Sequence, residues 1–193
     1  MSEREVPIAV LASGSGTNFQ ALLDADLGPG KIVLLISNKP GVKALERAEK
    51  AGVPSAVIDH RRYASREDFD RAVLARLRDA RAEWVVFAGF MRVVTDVLLE
   101  PYRDRIVNVH PALLPAFPGV NAQKQAFDAG VEVTGCTVHL VDAGVDTGKI
   151  LAQAEVPVLP TDDVESLRLR ILAKEHELLP RVVRELVEGR MKP

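Results

Sequence analysis

Ile8-Ala9-Val10-Leu11-Ala12-Ser13-Gly14-Ser15-Gly16-Thr17-Asn18-Phe19-Gln20-Ala21-Leu22-Leu23 decides the fold class. Its first five residues form a short apolar run, the pattern of a strand buried on both faces of a parallel sheet. Residues 13–18 break that run, and Phe19 to Leu23 continues as a helix. Strand, glycine-rich turn and helix together open a nucleotide-binding α/β unit. The details narrow the ligand. A dinucleotide fingerprint needs a third glycine, and Phe19 stands there. It also needs an acidic residue closing the second strand, whereas Ile32-Val33-Leu34-Leu35-Ile36 runs into Ser37-Asn38. No Lys-Ser/Thr pair closes the turn as in a P-loop. What remains is a set of backbone N–H groups at a helix N-terminus, with Ser15, Thr17 and Asn18 beside them, which suits a single phosphate monoester. Taken alone, the same residues also describe a plain tight turn with Thr17 or Asn18 as N-cap.

Outward from this unit the alternation continues. Gly41 to Lys50 reads as a helix, Ser55 to Asp59 as a strand, Arg66 to Arg81 as an amphipathic helix and Trp84 to Ala88 as a fourth strand. This βαβαβαβ order predicts an open, mostly parallel twisted sheet with right-handed crossovers and helices on both faces. After Gly89, the apolar segment Phe90-Met91-Arg92-Val93-Val94 is either core or one wall of a flat ligand site. Thr134 to Val141 and Ile150 to Val156 read as hairpin strands of the C-terminal half, separated by the acidic turn Asp142 to Gly148. Asp162 to Glu188 is helical, with Pro180 expected to kink or split it.

The stretch Ile106-Val107-Asn108-Val109-His110-Pro111 is a strand stopped by proline. Residues two apart on a strand share a face, so Asn108 and His110 project together at its carboxyl end, the edge where open α/β sheets bind ligands. An amide donor beside a titratable imidazole suits a reaction in which a carbonyl oxygen gains negative charge. A polar strand end with a surface histidine fits the same residues. Ala116 to Val120 is a proline- and glycine-punctuated loop, a candidate lid. Of the other histidines, His139 reads as a satisfied core residue, and His60 and His176 as surface residues.

With 193 residues and no linker-like stretch, residues 1–193 are expected to form one domain. The chain is 47% hydrophobic and 27% charged, enough for a proper core under a solvated surface. A net charge of −2 argues against nucleic acid or an anionic membrane as main partner. One cysteine, Cys136, precludes an internal disulfide and reads as inert packing. The charged start Met1-Ser2-Glu3-Arg4-Glu5 carries no signal peptide and no apolar run is of membrane-spanning length, so a cytoplasmic protein is expected. No metal-ligand spacing occurs.

These stretches together resemble the glycinamide ribonucleotide formyltransferases, folate-dependent enzymes of purine synthesis. The likeness rests on Ser-Gly-Ser-Gly-Thr-Asn at 13–18, Ser-Asn-Lys at 37–39, Ala-Gly-Phe-Met-Arg at 88–92 and Asn-Val-His-Pro-Ala-Leu-Leu-Pro at 108–115. Phe-Pro-Gly at 117–119, Thr-Gly-Cys-Thr-Val-His at 134–139, Asp142 through Gly148 and Lys174-Glu175-His176 extend it over nearly the whole chain. Gln123 stands where relatives often carry a histidine, and Ala112 where a serine is common.

The resemblance implies a Rossmann-like formyltransferase fold and a reaction in which a substrate amine attacks the formyl carbon of 10-formyltetrahydrofolate. It implies Asn108 as donor to the oxyanion, His110 as proton handler, and Asp146 as the group that orients this imidazole and favours its charged form. It places the ribonucleotide on Ser15, Gly16, Thr17, Asn18 and Glu175. The folate is implied to lie against Met91, Arg92, Val93, Val94, Asn108, Val141 and Asp142, with Arg66 near its acidic tail. It implies no metal, small-molecule partners only, and a monomer or homodimer. Formyltetrahydrofolate hydrolases share the Asn-x-His-Pro core and are the alternative within the same chemistry, while methionyl-tRNA formyltransferases need an extra basic domain.

Overall fold

The computed structural model describes residues 4–193, so the expectations resting on Met1 to Glu3 lie outside the described residues. The chain builds one sheet of seven strands in the order β3-β2-β1-β4-β5-β6-β7. The strands are β1 (Val6–Ala12), β2 (Gly30–Ser37), β3 (Ser55–Val57), β4 (Trp84–Phe87), β5 (Ile106–His110), β6 (Val133–Leu140) and β7 (Ile150–Pro157). The first five are mutually parallel, as the alternation predicted. β6 and β7 then add antiparallel, forming the expected hairpin. Six α-helices are described: α1 (Thr17–Asp24), α2 (Lys43–Lys50), α3 (Arg66–Asp79), α4 (Asp96–Leu99), α5 (Ala122–Asp128) and α6 (Val164–Val187).

Strand periodicity sorts the core into two layers. Ile8, Val10, Val86, Val107 and Val138 face one way, against Phe19 and Leu22 of α1 and Leu167, Ile171, Leu179 and Val182 of α6. Ala9, Leu11, Val85, Phe87 and Ile106 face the other way, against Phe69, Val73 and Leu77 of α3 and Leu98 of α4. Phe69 is almost completely buried, and its truncation to alanine would cost about 3–5 kcal/mol. Cys136 of β6 is fully buried in the first layer, and burial pushes its thiol up to about 12, which keeps it inert at neutral pH.

The expected split at Pro180 does not occur. α6 runs as one helix of 24 residues with Pro180 buried inside it. Proline forfeits one backbone bond there, a cost of ~3 kcal/mol, but Leu178, Leu179, Val182, Val183 and Leu186 are all buried around it and hold the helix together. A capping box between Asp163 and Ser166 fixes its start.

Candidate active site

The sheet order places β1 beside β4, so the chain reverses direction of winding between them and opens a crevice at their carboxyl ends. Three segments meet there: the turn after β1, the segment after β4 and the end of β5.

In the turn after β1, Gly16 is the N-cap of α1, with a left-handed backbone at φ 69°. A Cβ at this position would also lie 2.8 Å from Ala44, so both conformation and space require glycine. Neither Thr17 nor Asn18 acts as a side-chain cap, contrary to the plain-turn alternative. The first N–H groups of α1 therefore have no side chain across them. Arg47 of α2 donates from Nε to Ser15 O at 2.8 Å, adding positive charge at the same rim. Asn18 is turned inward instead, donating from Nδ2 to Glu175 of α6 at 2.7 Å. Burial pushes the Glu175 carboxyl up to about 7, against the opposing pull of Asn18 and Arg168.

At the end of β5, Asn108 and His110 lie side by side, as their spacing predicted. His110 is buried, with Nδ1 at 3.3 Å from Asp146 Oδ2 and Nε2 at 2.7 Å from the carbonyl of Phe117. Because that carbonyl only accepts, Nε2 carries the proton. Asp146, at φ 54°, also accepts from Gly119 N–H through Oδ2 at 2.8 Å. The loop 116–121 is thus strapped to both catalytic candidates, with Phe117, Gly119 and Asn121 all in left-handed backbone. The peptide bond Leu114–Pro115 is cis.

A fourth residue joins them. His139 of β6 stands opposite Asn108 in the antiparallel register. Its Nδ1 donates to Leu140 O at 2.7 Å, which leaves Nε2 to accept from Asn108 Nδ2 at 3.1 Å. The same Nε2 is 3.5 Å from Asp146 Oδ1. His139 is buried and satisfied, as expected of a core residue, but its partners are the site itself. Burial pushes the Asp146 carboxyl up, yet the His139 imidazole beside it, the Gly119 N–H and the nearby His110 outweigh it and hold the carboxyl below the ordinary range.

The segment after β4 divides its residues. Met91 and Val93 are exposed, at 68% and 42%, whereas Val94 is buried. Arg92 is half-buried, its guanidinium 5.1 Å from the centre of the Phe69 ring. Arg66 is exposed on the first turn of α3, and its side chain makes no hydrogen bond or ion pair among the described residues. Val141 continues from β6, its N–H bonded to Ile106 O at 2.9 Å. Asp142 Oδ1 accepts from Gly144 N–H and Thr147 Oγ1, closing the turn that leads to Asp146. His60 and His176 are half-buried rather than surface residues: Nδ1 of His60 meets Asn38, and His176 Nε2 is buried. Among the described residues, no three His, Cys, Asp or Glu side chains converge to hold a metal ion. No helix among them is long and apolar enough to cross a membrane.

The formyl transferase family model matches residues 6–183. The chain is 50% identical over 194 residues to the trifunctional purine biosynthetic protein adenosine-3 of Drosophila melanogaster, covering 98% of this chain but only 14% of that protein. It is 42% identical over 182 residues to the phosphoribosylglycinamide formyltransferase of Bacillus subtilis, covering 93% of each chain. The structure of glycinamide ribonucleotide transformylase 1 from Symbiobacterium toebii superposes with a TM-score of 0.94 at 49% identity, covering 96% of this chain and 89% of that one.

Proposed function

The chain belongs to the formyl transferase family, and from that membership and the geometry of its site we propose that it formylates N1-(5-phospho-D-ribosyl)glycinamide. The formyl group comes from 10-formyltetrahydrofolate, and the products are the N-formyl ribonucleotide and tetrahydrofolate, a step of purine biosynthesis. The observation that carries this reading is the convergence of Asn108, His110, Asp146 and His139 at one strand end, beside a helix N-terminus without a side-chain cap.

The substrate amine attacks the formyl carbon, and the carbonyl oxygen becomes an oxyanion. Asn108 has one amide hydrogen fixed on His139, so its second points in a set direction and donates to that oxygen. His110 Nε2–H, released from Phe117 O, is the second donor. The bond from the formyl carbon to the folate nitrogen then breaks, and the proton lost by the amine reaches that nitrogen through water near His110 and Asp146. Asp146, 3.3 Å from Nδ1, holds the imidazole in place. The formyl carbon arrives already activated on nitrogen, so the chemistry calls for no metal.

In this reading Ser15, Gly16, Thr17 and Asn18 hold the phosphate monoester, and Glu175 faces the ribose or glycinamide end through its bond to Asn18. The folate lies on Met91, Arg92, Val93 and Val94 and on Val141 and Asp142, with Arg66 toward its acidic tail. Residues 1–193 act as one catalytic domain in the cytoplasm, as a monomer or homodimer.

The test is a spectrophotometric assay of folate release with and without the ribonucleotide. Release that requires the ribonucleotide and is lost in His110→Ala supports the transferase. Equal release without an acceptor would make the protein a formyl folate hydrolase.

A further inference from the structure

Residues 90–94 belong to no helix or strand, and among the described residues they make no backbone–backbone hydrogen bond. A segment of this kind would ordinarily be mobile. Here two side chains from elsewhere in the chain hold its ends.

At the first end, Ser13 Oγ accepts from Met91 N–H at 2.9 Å and donates to Asn38 Oδ1 at 2.6 Å. The bond to Asn38 fixes the hydroxyl rotor, so a lone pair of Ser13 faces Met91. At the other end, Asp70 of α3 accepts through Oδ2 from Thr95 N–H at 2.6 Å and from Thr95 Oγ1 at 2.8 Å. Thr95 precedes α4 yet makes no side-chain cap to it, because its hydroxyl is committed to Asp70. Ser13, Asn38 and Asp70 are exposed by 6%, 1% and 0%.

A carboxyl completely buried on a helix is a costly anchor, and the second oxygen of Asp70 is buried with no hydrogen-bond partner among the described residues. Burial pushes its carboxyl up, against the bonds from Thr95 and the charge of Arg92. The core beside it, with Phe69, Val73 and Leu77, is apolar. Among the described residues its side-chain hydrogen bonds run only to Thr95, at the end of this segment.

We propose that Ser13 and Asp70 are positioning residues for the formyl folate, clamping the two ends of 91–94 so that its unengaged backbone groups present a fixed edge to the flat heterocycle. The inference rests on the folate reading of this segment. Neither side chain touches substrate; each acts by accepting a backbone N–H. Ser13 also starts the turn assigned to the phosphate, so the segment that would carry the folate is held in register with the loop that would carry the ribonucleotide.

Steady-state kinetics of the full chain, with each substrate varied in turn, test this. Ser13→Ala and Asp70→Ala should each raise the KM for formyl folate about five- to tenfold, the loss of one or two such bonds, with the ribonucleotide KM changed by less than about twofold. Asp70→Asn keeps an acceptor for Thr95 and should restore the folate KM. The proposal is overturned if both KM values rise together, if neither moves while the melting temperature falls, or if Asp70→Asn is as impaired as Asp70→Ala. Should Asp70→Ala not fold, Ser13→Ala and Asp70→Asn decide between the same outcomes. Absence of ribonucleotide-dependent turnover in the unaltered protein would instead sink the parent reading, and it is seen before any variant is made.

Discussion

Asn108 on β5 faces His139 on β6 across the first antiparallel pair of the sheet, and the amide nitrogen lies 3.1 Å from the imidazole Nε2. The amide is therefore aimed by a neighbour rather than by its own strand alone. Asn108→Ala removes the proposed oxyanion donor and should lower kcat on the order of a hundredfold or more. His139→Ala leaves the donor but frees its rotamer, and a smaller fall of about tenfold is expected. The double variant should be no worse than Asn108→Ala, since the two act as one unit. Additive losses in a double-mutant cycle would contradict the shared role.

Asp146 lies against both imidazoles and accepts from the loop amide of Gly119. Asp146→Asn should abolish turnover while folate affinity, measured by equilibrium dialysis, stays within about threefold, because the carboxylate acts on charge rather than on binding. The sign of its effect on stability follows from a carboxyl held below its ordinary range. Ionised Asp146 stabilises the fold above the unfolded carboxylate range, and that contribution is lost as pH falls through the folded value. The difference in melting temperature between Asp146→Asn and the parent should shrink in acid. An undiminished difference there would show that the carboxylate does not titrate as argued.

Glu175 works in the opposite direction. Its carboxyl is pushed up to about 7 by burial, so the unfolded chain releases the proton first as pH rises from the ordinary carboxylate range. The fold should lose stability between about pH 4.5 and 7, by an upper bound of roughly 3 kcal/mol. Glu175→Gln removes that loss, so its melting temperature should exceed the parent's at pH 8 and match it near pH 4.5. The same difference at both pH values would rule out titration as the cause.

Two glycines separate loop strain from packing. A Cβ at Gly119 would meet open space, but φ 82° disfavours any side chain, so Gly119→Ala carries only a backbone cost of about 1–2 kcal/mol. Since its N–H holds Asp146, kcat should fall about tenfold through misplacement of the carboxylate. At Gly135 a Cβ would sit 1.9 Å from Ala154 O, forcing β6 and β7 apart. Gly135→Ala should lower the melting temperature by ~10 °C or more, as a loss of several kcal/mol does in a chain of this size. A melting temperature within a few degrees of the parent would show that the hairpin yields more easily than its geometry allows.

The parallel half of the sheet was legible because each strand, turn and helix announces itself locally, in the run from Ile8 to Leu23 as in Trp84 to Gly89. Asn108 and His110 were legible together because a strand has period two. His139 was read correctly as buried and satisfied, but its place beside Asn108 depends on the register between β5 and β6, which no local pattern encodes. The cap of α1 went the other way. Asn18 has the chemistry of an N-cap, but Glu175, 157 residues later, claims its amide. That α6 is not split at Pro180 was hidden for a similar reason, since the buried side chains around it pack in one cluster with residues of the sheet. The clamp on residues 91–94 is equally non-local, joining it to Ser13 and to Asp70.

The single thiol, sealed at Cys136 between the sheet and α6, has a use outside catalysis. An aromatic disulfide reagent can read it only when those layers part, so the colour released over time is a clock for global opening. Anything that binds the closed form alone slows that clock by a factor of one plus its concentration over its Kd. Substrate affinities then become readable, without turnover and without a label, from the lateness of a reaction in the middle of the sheet.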